Sequence, residues 1–384
     1  MPLDTATLNH LVDTVHRYVR ERLVPLETEV VETDEVPAGI RAEMREMGLF
    51  GLSIPTEYGG LGLSMEEECR LLVELGWTSP AFRTVFATNV GIGSQGIVMD
   101  GTPEQKREWL PRLASGELIA SFALTEPEAG SDAASIRTTA IRDGDEYVIN
   151  GTKRFITNAP YADVFTLMAR TDPAIPGSRG ISAFIMPAKV KGVSVGKADR
   201  KMGQRGAKTA DVIFEDARVP AANIIGGVAG RGFATAMKVL DRGRLNISAT
   251  AVGHAERLIH ESVSYARTRR QFGKAIGEFQ LVQAMLADSR TEALAARAMV
   301  METARDYDAG RRVSMEAAAC KYFATEMVGR VADRAVQIHG GSGYMADFAV
   351  ERFYRDVRLM RLYEGTSQIQ QLVIAKAMLA DGAE

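Results

Sequence analysis

The pattern of the chain changes in the stretch Leu118-Ile-Ala-Ser-Phe-Ala-Leu-Thr-Glu-Pro-Glu-Ala-Gly-Ser-Asp132. Before it, from Leu8 to about Leu113, apolar residues recur at the spacing of amphipathic helices. From this stretch to Pro220 the apolar runs are short, rich in β-branched and aromatic residues, and divided by Gly, Pro and Asp, as is typical of strands. Helical periodicity returns after the glycine-rich segment that ends at Gly232.

The order of these patterns predicts an α+β fold, mainly α, in three parts. We expect an N-terminal helical domain at 1–116, a middle β domain at 117–228 and a C-terminal helical bundle domain at 229–384. The long C-terminal helices are expected at about 234–268, 279–307 and 314–338, and helices of this length without proline are typical of bundles.

Composition and charge exclude several classes of protein. The 384 residues are 46% hydrophobic and 25% charged, with a net charge of −3, so nothing favours nucleic acid as a partner. No apolar run approaches the roughly 20 residues that span a bilayer, and the first residues predict a helix rather than a signal peptide. The only cysteines, Cys69 and Cys320, cannot form a disulfide framework. We therefore expect a cytoplasmic protein without a membrane span.

The usual catalytic motifs are weak or absent. Gly91-Ile-Gly-Ser-Gln-Gly96 matches the dinucleotide-binding pattern after the strand-like run at 85–90, but a helical pattern follows where a second strand with an acidic residue is needed. Close helix packing is the better interpretation of these glycines. The five histidines show no metal-ligand spacing, so no metal site is predicted.

Three other segments are more specific. They are Ala123-Leu-Thr-Glu-Pro-Glu-Ala-Gly-Ser-Asp132, placed on the first predicted strand, Gln337-Ile-His-Gly-Gly-Ser-Gly-Tyr344, and Tyr363-Glu-Gly-Thr-Ser-Gln-Ile-Gln370. In this order and at these separations the chain resembles the flavin-dependent acyl-CoA dehydrogenase family. The resemblance covers nearly the whole chain. It implies a C-terminal four-helix bundle, one non-covalent FAD, an acyl-CoA substrate, electron-transferring flavoprotein as electron acceptor, and a homotetramer built as a dimer of dimers.

The resemblance assigns the catalytic base to Glu364. A carboxylate is a weak base for a carbon acid, so burial beside the acyl chain and flavin should raise its pKa. The backbone amide of Glu364 is implied as a donor to the thioester carbonyl. Some relatives carry the glutamate at the position matched here by Gly243, which cannot act as a base. Glu364 is therefore the single candidate.

The same resemblance assigns the binding residues. The implied cofactor set is Leu124, Thr125, Ser131, Phe155, Ile156, Thr157, Arg269, Gln280, Gln337, Gly340, Gly341, Thr366 and Gln368. The implied substrate set is Ser131, Leu240, Arg244, Tyr363 and Gly365. A forked guanidinium and consecutive glycines both suit a pyrophosphate, as expected for Arg269 and for Gly340 and Gly341.

Two alternatives stay open at this point. One is an oxygen-using oxidase or monooxygenase on the same fold, and the other is a non-catalytic scaffold that keeps the fold. The length and branching of the acyl chain also stay open, because pocket depth depends on side chains near Ile92, Ser94 and Ile97. Gly91, Gly93 and Gly96 hint weakly at room for a bulky acyl group, although helix contact explains them equally well.

Overall fold

The architecture is mainly helical, with a β domain between two helical parts, and the predicted fold class is confirmed. A computed structural model describes residues 3–380 of the chain. The outer limits of the predicted domains, Met1 and Glu384, lie outside the described residues. The two internal boundaries remain predictions.

Helices fill the N-terminal part. Two of them begin with reciprocal caps, in which Ser64 and Thr102 accept from the backbone amides of Glu67 and Gln105, whose side chains bond back. The helices are α1 (Thr5–Arg17), α2 (Glu27–Thr33), α3 (Ala38–Glu46), α4 (Met65–Leu75), α5 (Pro80–Val90), α6 (Gln95–Asp100) and α7 (Pro103–Ala114).

The middle part is one sheet in the order β1-β4-β2-β3-β7-β6, with β5 paired to β4. The strands are β1 (Ala120–Ala123), β2 (Thr139–Asp143), β3 (Glu146–Thr157), β4 (Val164–Arg170), β5 (Ile181–Pro187), β6 (Val193–Val195) and β7 (Thr209–Pro220). β4 runs parallel to β1 and β2, and the other pairs are antiparallel. The pairing of β3 with β7 shifts between Lys153 and Ile156, and this bulge supplies part of the site described below.

Long helices form the C-terminal part, close to their predicted bounds. The elements are α8 (Gly232–Thr268), the hairpin β8 (Arg270–Gln271) and β9 (Lys274–Ala275), α9 (Gln280–Asp308), α10 (Ser314–His339), α11 (Ala349–Val357) and α12 (Ser367–Met378). α8, α9 and α10 pack against one another, and α12 packs against α10. Among residues 3–380 no helix is both long and apolar enough to cross a bilayer.

One local prediction was wrong, namely the strand at 123–132, and one run that resembled a strand is helical, in agreement with the predicted helical N-terminal domain. The strand-like run at 85–90 belongs to α5, which starts at the Ser79 cap and buries Phe82, Val85 and Phe86. A buried helix is apolar on several sides, so a short run from it cannot be told from a strand by periodicity. The 123–132 stretch is mostly loop, because β1 ends at Ala123.

The glycines after α5 have different neighbours: Gly93 packs closely on strand β1, whereas a Cβ on Gly96 would lie 3.5 Å from Thr166 in β4 and from Thr235 in helix α8. A Cβ on Gly93 would lie 2.8 Å from the Cβ of Ala120 in β1. Gly93 and Gly96 do not line the cavity described below, whereas Gly91 does. The hint that all three make room for an acyl group is therefore not supported for Gly93 and Gly96.

Candidate active site

A cavity of about 430 Å³ lies where the three parts of the chain meet. Its walls are α5, α8, the loop after β1, the bulged end of β3 and the segment between α11 and α12. This volume is typical of small-molecule sites. The predicted site residues that line it are Leu124, Thr125, Ser131, Phe155, Ile156, Thr157, Leu240, Arg244, Tyr363, Glu364 and Gly365.

Glu364 is held in an unusual backbone conformation. Its φ is 52° and that of Gly365 is 90°, both in the left-handed region that side chains disfavour. Lys321 Nζ donates to the Gly365 carbonyl at 2.6 Å, and Gln370 Nε2 donates to the carbonyls of Glu364 and Gly365 at 3.1 and 3.0 Å. Any other residue at position 365 would be strained at this φ, and its Cβ would lie 2.6 Å from Gln370 Nε2. These contacts fix the direction of the Glu364 side chain.

The carboxylate of Glu364 reaches the surface of α8. A Cβ on Gly243 would lie only 2.2 Å from Glu364 Oε2. Oε2 is buried and has no hydrogen-bond partner among residues 3–380. Burial raises the pKa of Glu364, and the positive charges of Arg83, Lys321 and Arg244 offset only part of that effect. A buried carboxyl group with a raised pKa and a free oxygen is suited to exchange protons with a ligand.

Arg244 lines the same cavity with its charge partly paired. Its Nη1 donates to Asp241 Oδ1 at 2.6 Å, and Ser314 Oγ donates to the other oxygen of Asp241 at 2.6 Å. Nε of Arg244 is buried and has no partner within residues 3–380. The ion pair therefore orients Arg244 and leaves a donor for a ligand.

The opposite wall is the bulge of β3. Phe155 has a φ of 59°, and its ring is 61% exposed in the isolated chain. The guanidinium carbon of Arg154 lies 5.4 Å from the centre of that ring, and the Arg154 amide donates to the Thr125 carbonyl at 2.8 Å. The bulge thus presents an aromatic face beside the loop that follows β1. Such a surface is suited to pack against a planar ring.

A buried ion pair between Lys153 and Glu126 stabilises the wall formed by the β3 bulge and the loop after β1. Lys153 Nζ donates to Glu126 Oε1 at 2.7 Å and to the Leu124 carbonyl at 3.0 Å, and Lys153 is fully buried. The Glu126 carboxylate also accepts from the backbone amides of Arg137 and Thr138, at 2.6 and 2.9 Å. Burial lowers the pKa of Lys153 to about 8, although Glu126 opposes the shift. This pair fixes the backbone of the loop at Leu124.

The other predicted cofactor residues do not line this cavity. Arg269 follows α8 and Gln280 opens α9, whereas Gln337, Gly340 and Gly341 lie at the end of α10. These helix ends meet, because Tyr265 stacks on His339 with ring centres 4.3 Å apart. The remaining two lie at the start of α12: the Thr366 hydroxyl caps the helix by accepting from the Ile369 amide, and Gln368 is exposed.

Residues outside the predicted set also belong to the site. Arg83 on α5 lines the cavity, and Lys321 on α10 holds the Gly365 carbonyl. Of these two residues, only Arg83 stands out in the sequence, because it is the one charged residue between Pro80 and Met99. The role of Lys321 depends on how α10 packs against the Glu364 segment.

Comparison with known proteins agrees with this architecture. Three family models match, namely the acyl-CoA dehydrogenase N-terminal domain at residues 5–117, the middle domain at 121–217 and the C-terminal domain at 230–379. The chain is 43% identical to a probable acyl-CoA dehydrogenase, YngJ, of Bacillus subtilis, over 96% of both chains. It is 41% identical to the subunit CarC of the caffeyl-CoA reductase-Etf complex of Acetobacterium woodii, over 91% of this chain and 92% of that one.

A solved structure shows the same fold. The butyryl-CoA dehydrogenase from Megasphaera elsdenii superposes with a TM-score of 0.93 at 34% identity, over 99% of this chain and 100% of that one. Together the three family models cover the chain almost from end to end, and so do YngJ and the butyryl-CoA dehydrogenase structure. The chain therefore belongs to the acyl-CoA dehydrogenase family, the FAD-dependent oxidoreductases that act on CH–CH bonds.

Proposed function

We propose that the protein catalyses the α,β-dehydrogenation of an acyl-CoA thioester to trans-2-enoyl-CoA, with Glu364 as the base. The observation that carries this proposal is Glu364 Oε2, which is buried at the cavity without a hydrogen-bond partner among residues 3–380. A structural carboxylate in such a place would be paired, because an unpaired buried charge is costly. An acyl chain with an acidic α-proton is the partner that such a group fits.

The residues of the cavity fit a flavin. The exposed face of Phe155 and the neighbouring Ile156 and Thr157 offer a surface for the ring, beside the loop at Leu124 and Thr125. When bound there, FAD would supply the acceptor for the β-hydrogen, which leaves as hydride to N5. We place the adenosine and pyrophosphate end toward Arg269, Gln280, Gln337, Gly340, Gly341, Thr366 and Gln368, as the family resemblance implies.

The chain itself would supply proton transfer and positioning. Glu364 takes the α-proton, and its raised pKa makes it a stronger base than an ordinary carboxylate. The Glu364 amide makes no hydrogen bond in the described part of the chain, so it is free to donate to the thioester carbonyl as enolate charge develops. We assign Ser131, Leu240, Tyr363 and Gly365 to the walls around the acyl group, and Arg244 to the CoA portion.

The same site could run in reverse, because a protonated Glu364 returns the proton when an enoyl-CoA is reduced. The relative from Acetobacterium woodii is described as a reductase, and its name includes Etf. We propose the oxidative direction, with electron-transferring flavoprotein as acceptor and a homotetramer as the assembly. Mixing the reduced protein with trans-2-enoyl-CoA would measure the reverse rate. The cytoplasmic location remains a proposal that cell fractionation would test.

The decisive test compares Glu364→Gln with the wild type under nitrogen. Flavin bleaching by a panel of acyl-CoA thioesters should fall by about 10²–10⁴-fold in the variant, because only the base is removed, whereas FAD content and thioester binding stay unchanged. Glu57→Gln, at an exposed position in the N-terminal part, is the matched control and should bleach at the wild-type rate. Wild-type bleaching by Glu364→Gln would exclude Glu364 as the base.

The oxygen-using alternative needs a separate measurement. Reduced protein with bound product should reoxidise slowly in air if it is a dehydrogenase. Rapid reoxidation with formation of hydrogen peroxide would favour an oxidase on the same fold.

A further inference from the structure

Arg83 is a cation without a partner in the wall of the cavity. Its neighbours on the cavity-lining side of α5 are Thr84, Ala87, Thr88 and Gly91, all small and uncharged. Arg83 Nε is buried and has no hydrogen-bond partner, and the guanidinium forms no ion pair with any carboxylate in residues 3–380. Arg83 as a whole is half-buried, and a guanidinium with a buried nitrogen normally has a carboxylate or several acceptors.

The surrounding side chains do not compensate this charge. His254 on the facing helix α8 is neutral, because burial lowers its pKa to about 4, and its Nδ1 bonds to the Gly76 carbonyl at 2.5 Å. Glu68 is a buried carboxylate within the electrostatic reach of Arg83, but its oxygens are already bonded to Arg242 and to Asn246 Nδ2, the latter at 2.8 Å. Arg83 therefore faces the cavity with donors free.

Glu364 is not the missing counter-ion. The two side chains line the same cavity, and the positive charge of Arg83 lowers the pKa of Glu364. However, Glu364 Oε2 has no hydrogen-bond partner and no ion pair joins Glu364 to Arg83 within residues 3–380, so the two groups are not paired. Lys321 and Arg244 already donate to the Gly365 carbonyl and to Asp241. Of these three cations, only Arg83 has no acceptor among the residues that the structure describes.

A ligand that fills the cavity would remove the remaining water from Arg83. An uncharged acyl chain would leave this cation buried and unpaired, which costs several kcal/mol. A carboxylate at the far end of the acyl chain would instead accept two charge-assisted hydrogen bonds from the guanidinium fork. The small residues Ala87 and Gly91 of the same segment also line the cavity, so no bulky side chain follows Arg83 along this wall.

We propose that the acyl pocket binds thioesters whose acyl chain ends in a carboxylate, and that Arg83 binds that carboxylate. This inference rests on the proposed function and adds the class of substrate to it. Arg83 then sets specificity, while Glu364 carries out proton transfer at the other end of the chain.

The test uses the FAD-loaded protein and pairs of thioesters matched in length. Succinyl-, glutaryl- and adipoyl-CoA are compared with butyryl-, valeryl- and hexanoyl-CoA for dissociation constant, read from the flavin spectrum, and for rate of flavin bleaching. We expect the wild type to prefer the best carboxylated thioester over its uncharged counterpart. Arg83→Met should lower kcat/KM for that thioester by about 100-fold relative to its uncharged counterpart. The two thioesters are compared on the plateau of the variant's own pH profile, because removal of Arg83 also raises the pKa of Glu364. For Arg83→Lys, which keeps the charge without the forked donors, kcat/KM for the carboxylated thioester should lie between the values of the wild type and of Arg83→Met.

The outcomes separate the two proposals. If the wild type binds and oxidises uncharged thioesters and rejects the carboxylated ones, the role of Arg83 is refuted and the proposed function stands. If no thioester of either kind binds or changes the flavin, the proposed function fails. If Arg83→Met is too unstable to isolate, the preference of the wild type within each pair decides, because it requires no variant.

Discussion

Replacing Gly243 by alanine should displace the Glu364 carboxylate without unfolding the chain. The added Cβ would lie 2.2 Å from Oε2 of Glu364, closer than real Cβ atoms come to any neighbour. The nearest backbone is not in the way, so the clash is relieved by the carboxylate, which must move by about 1 Å. A misplacement of about 1 Å at a reacting group costs on the order of 10²-fold in rate. We therefore expect flavin reduction about 100-fold slower, which corresponds to about 2.7 kcal/mol in the barrier.

The Gly243→Ala variant should be slightly more stable than the wild type, although it reduces its flavin more slowly. Gly243 lies inside α8, where alanine is favoured over glycine by roughly 0.5–1 kcal/mol. The matched control is Gly39→Ala in α3, where a Cβ would meet no atom within 4 Å. Gly39→Ala makes the same chemical change in another helix without touching the site, so its rate should equal that of the wild type.

The assay is anaerobic stopped-flow mixing of each FAD-loaded variant with the best thioester, together with thermal unfolding and the FAD-to-protein ratio. A slow but stable Gly243→Ala variant that retains FAD would support the geometry. A variant that reduces its flavin at the wild-type rate would show that the active carboxylate does not lie against α8, and the reasoning about Glu364 would be wrong.

Three further predictions concern buried charges. Lys321→Met removes a positive charge that lowers the pKa of Glu364, so the acid limb of the pH profile for flavin reduction should move to higher pH, and an unmoved limb would contradict this coupling. Lys153→Met leaves the Glu126 carboxylate buried and unpaired, so urea unfolding should show a loss of about 3–5 kcal/mol, part of which Glu126→Gln should restore in the double variant. Burial raises the pKa of Asp356 from 3.8 to about 6, so its proton is held more tightly in the folded state, and the free energy of unfolding should fall as pH rises across that interval. Asp356→Asn should lose this decline, and an equal decline in the variant would refute the assignment.

The sequence predicts the large elements because their signals are long and local. The helices α8, α9 and α10 keep one periodicity over many residues and lie close to their expected bounds. The periodicity is ambiguous at 85–90, where the run resembles a strand although it lies in a helix of the predicted helical domain, because the run is short and the helix is buried on more than one side. There the choice between helix and strand depends on contacts with distant segments, which periodicity does not contain.

The sequence predicts some residues of the site and not others, again because their roles depend on contacts with distant segments. The motif around Glu364 points to a base, but its reactivity depends on what is missing from its surroundings. Gly243 contributes no side chain, and no donor from the described part of the chain reaches Oε2. The role of Arg83 also depends on what its surroundings lack, although its charge is positive. Its isolation among uncharged residues is visible in the sequence, yet most such arginines find a carboxylate on another element once the chain folds. Only the folded structure shows that no carboxylate within residues 3–380 forms an ion pair with Arg83. The two free charges in the cavity therefore follow from tertiary structure, and together they define a ligand with an acidic α-proton at one end and a negative charge at the other.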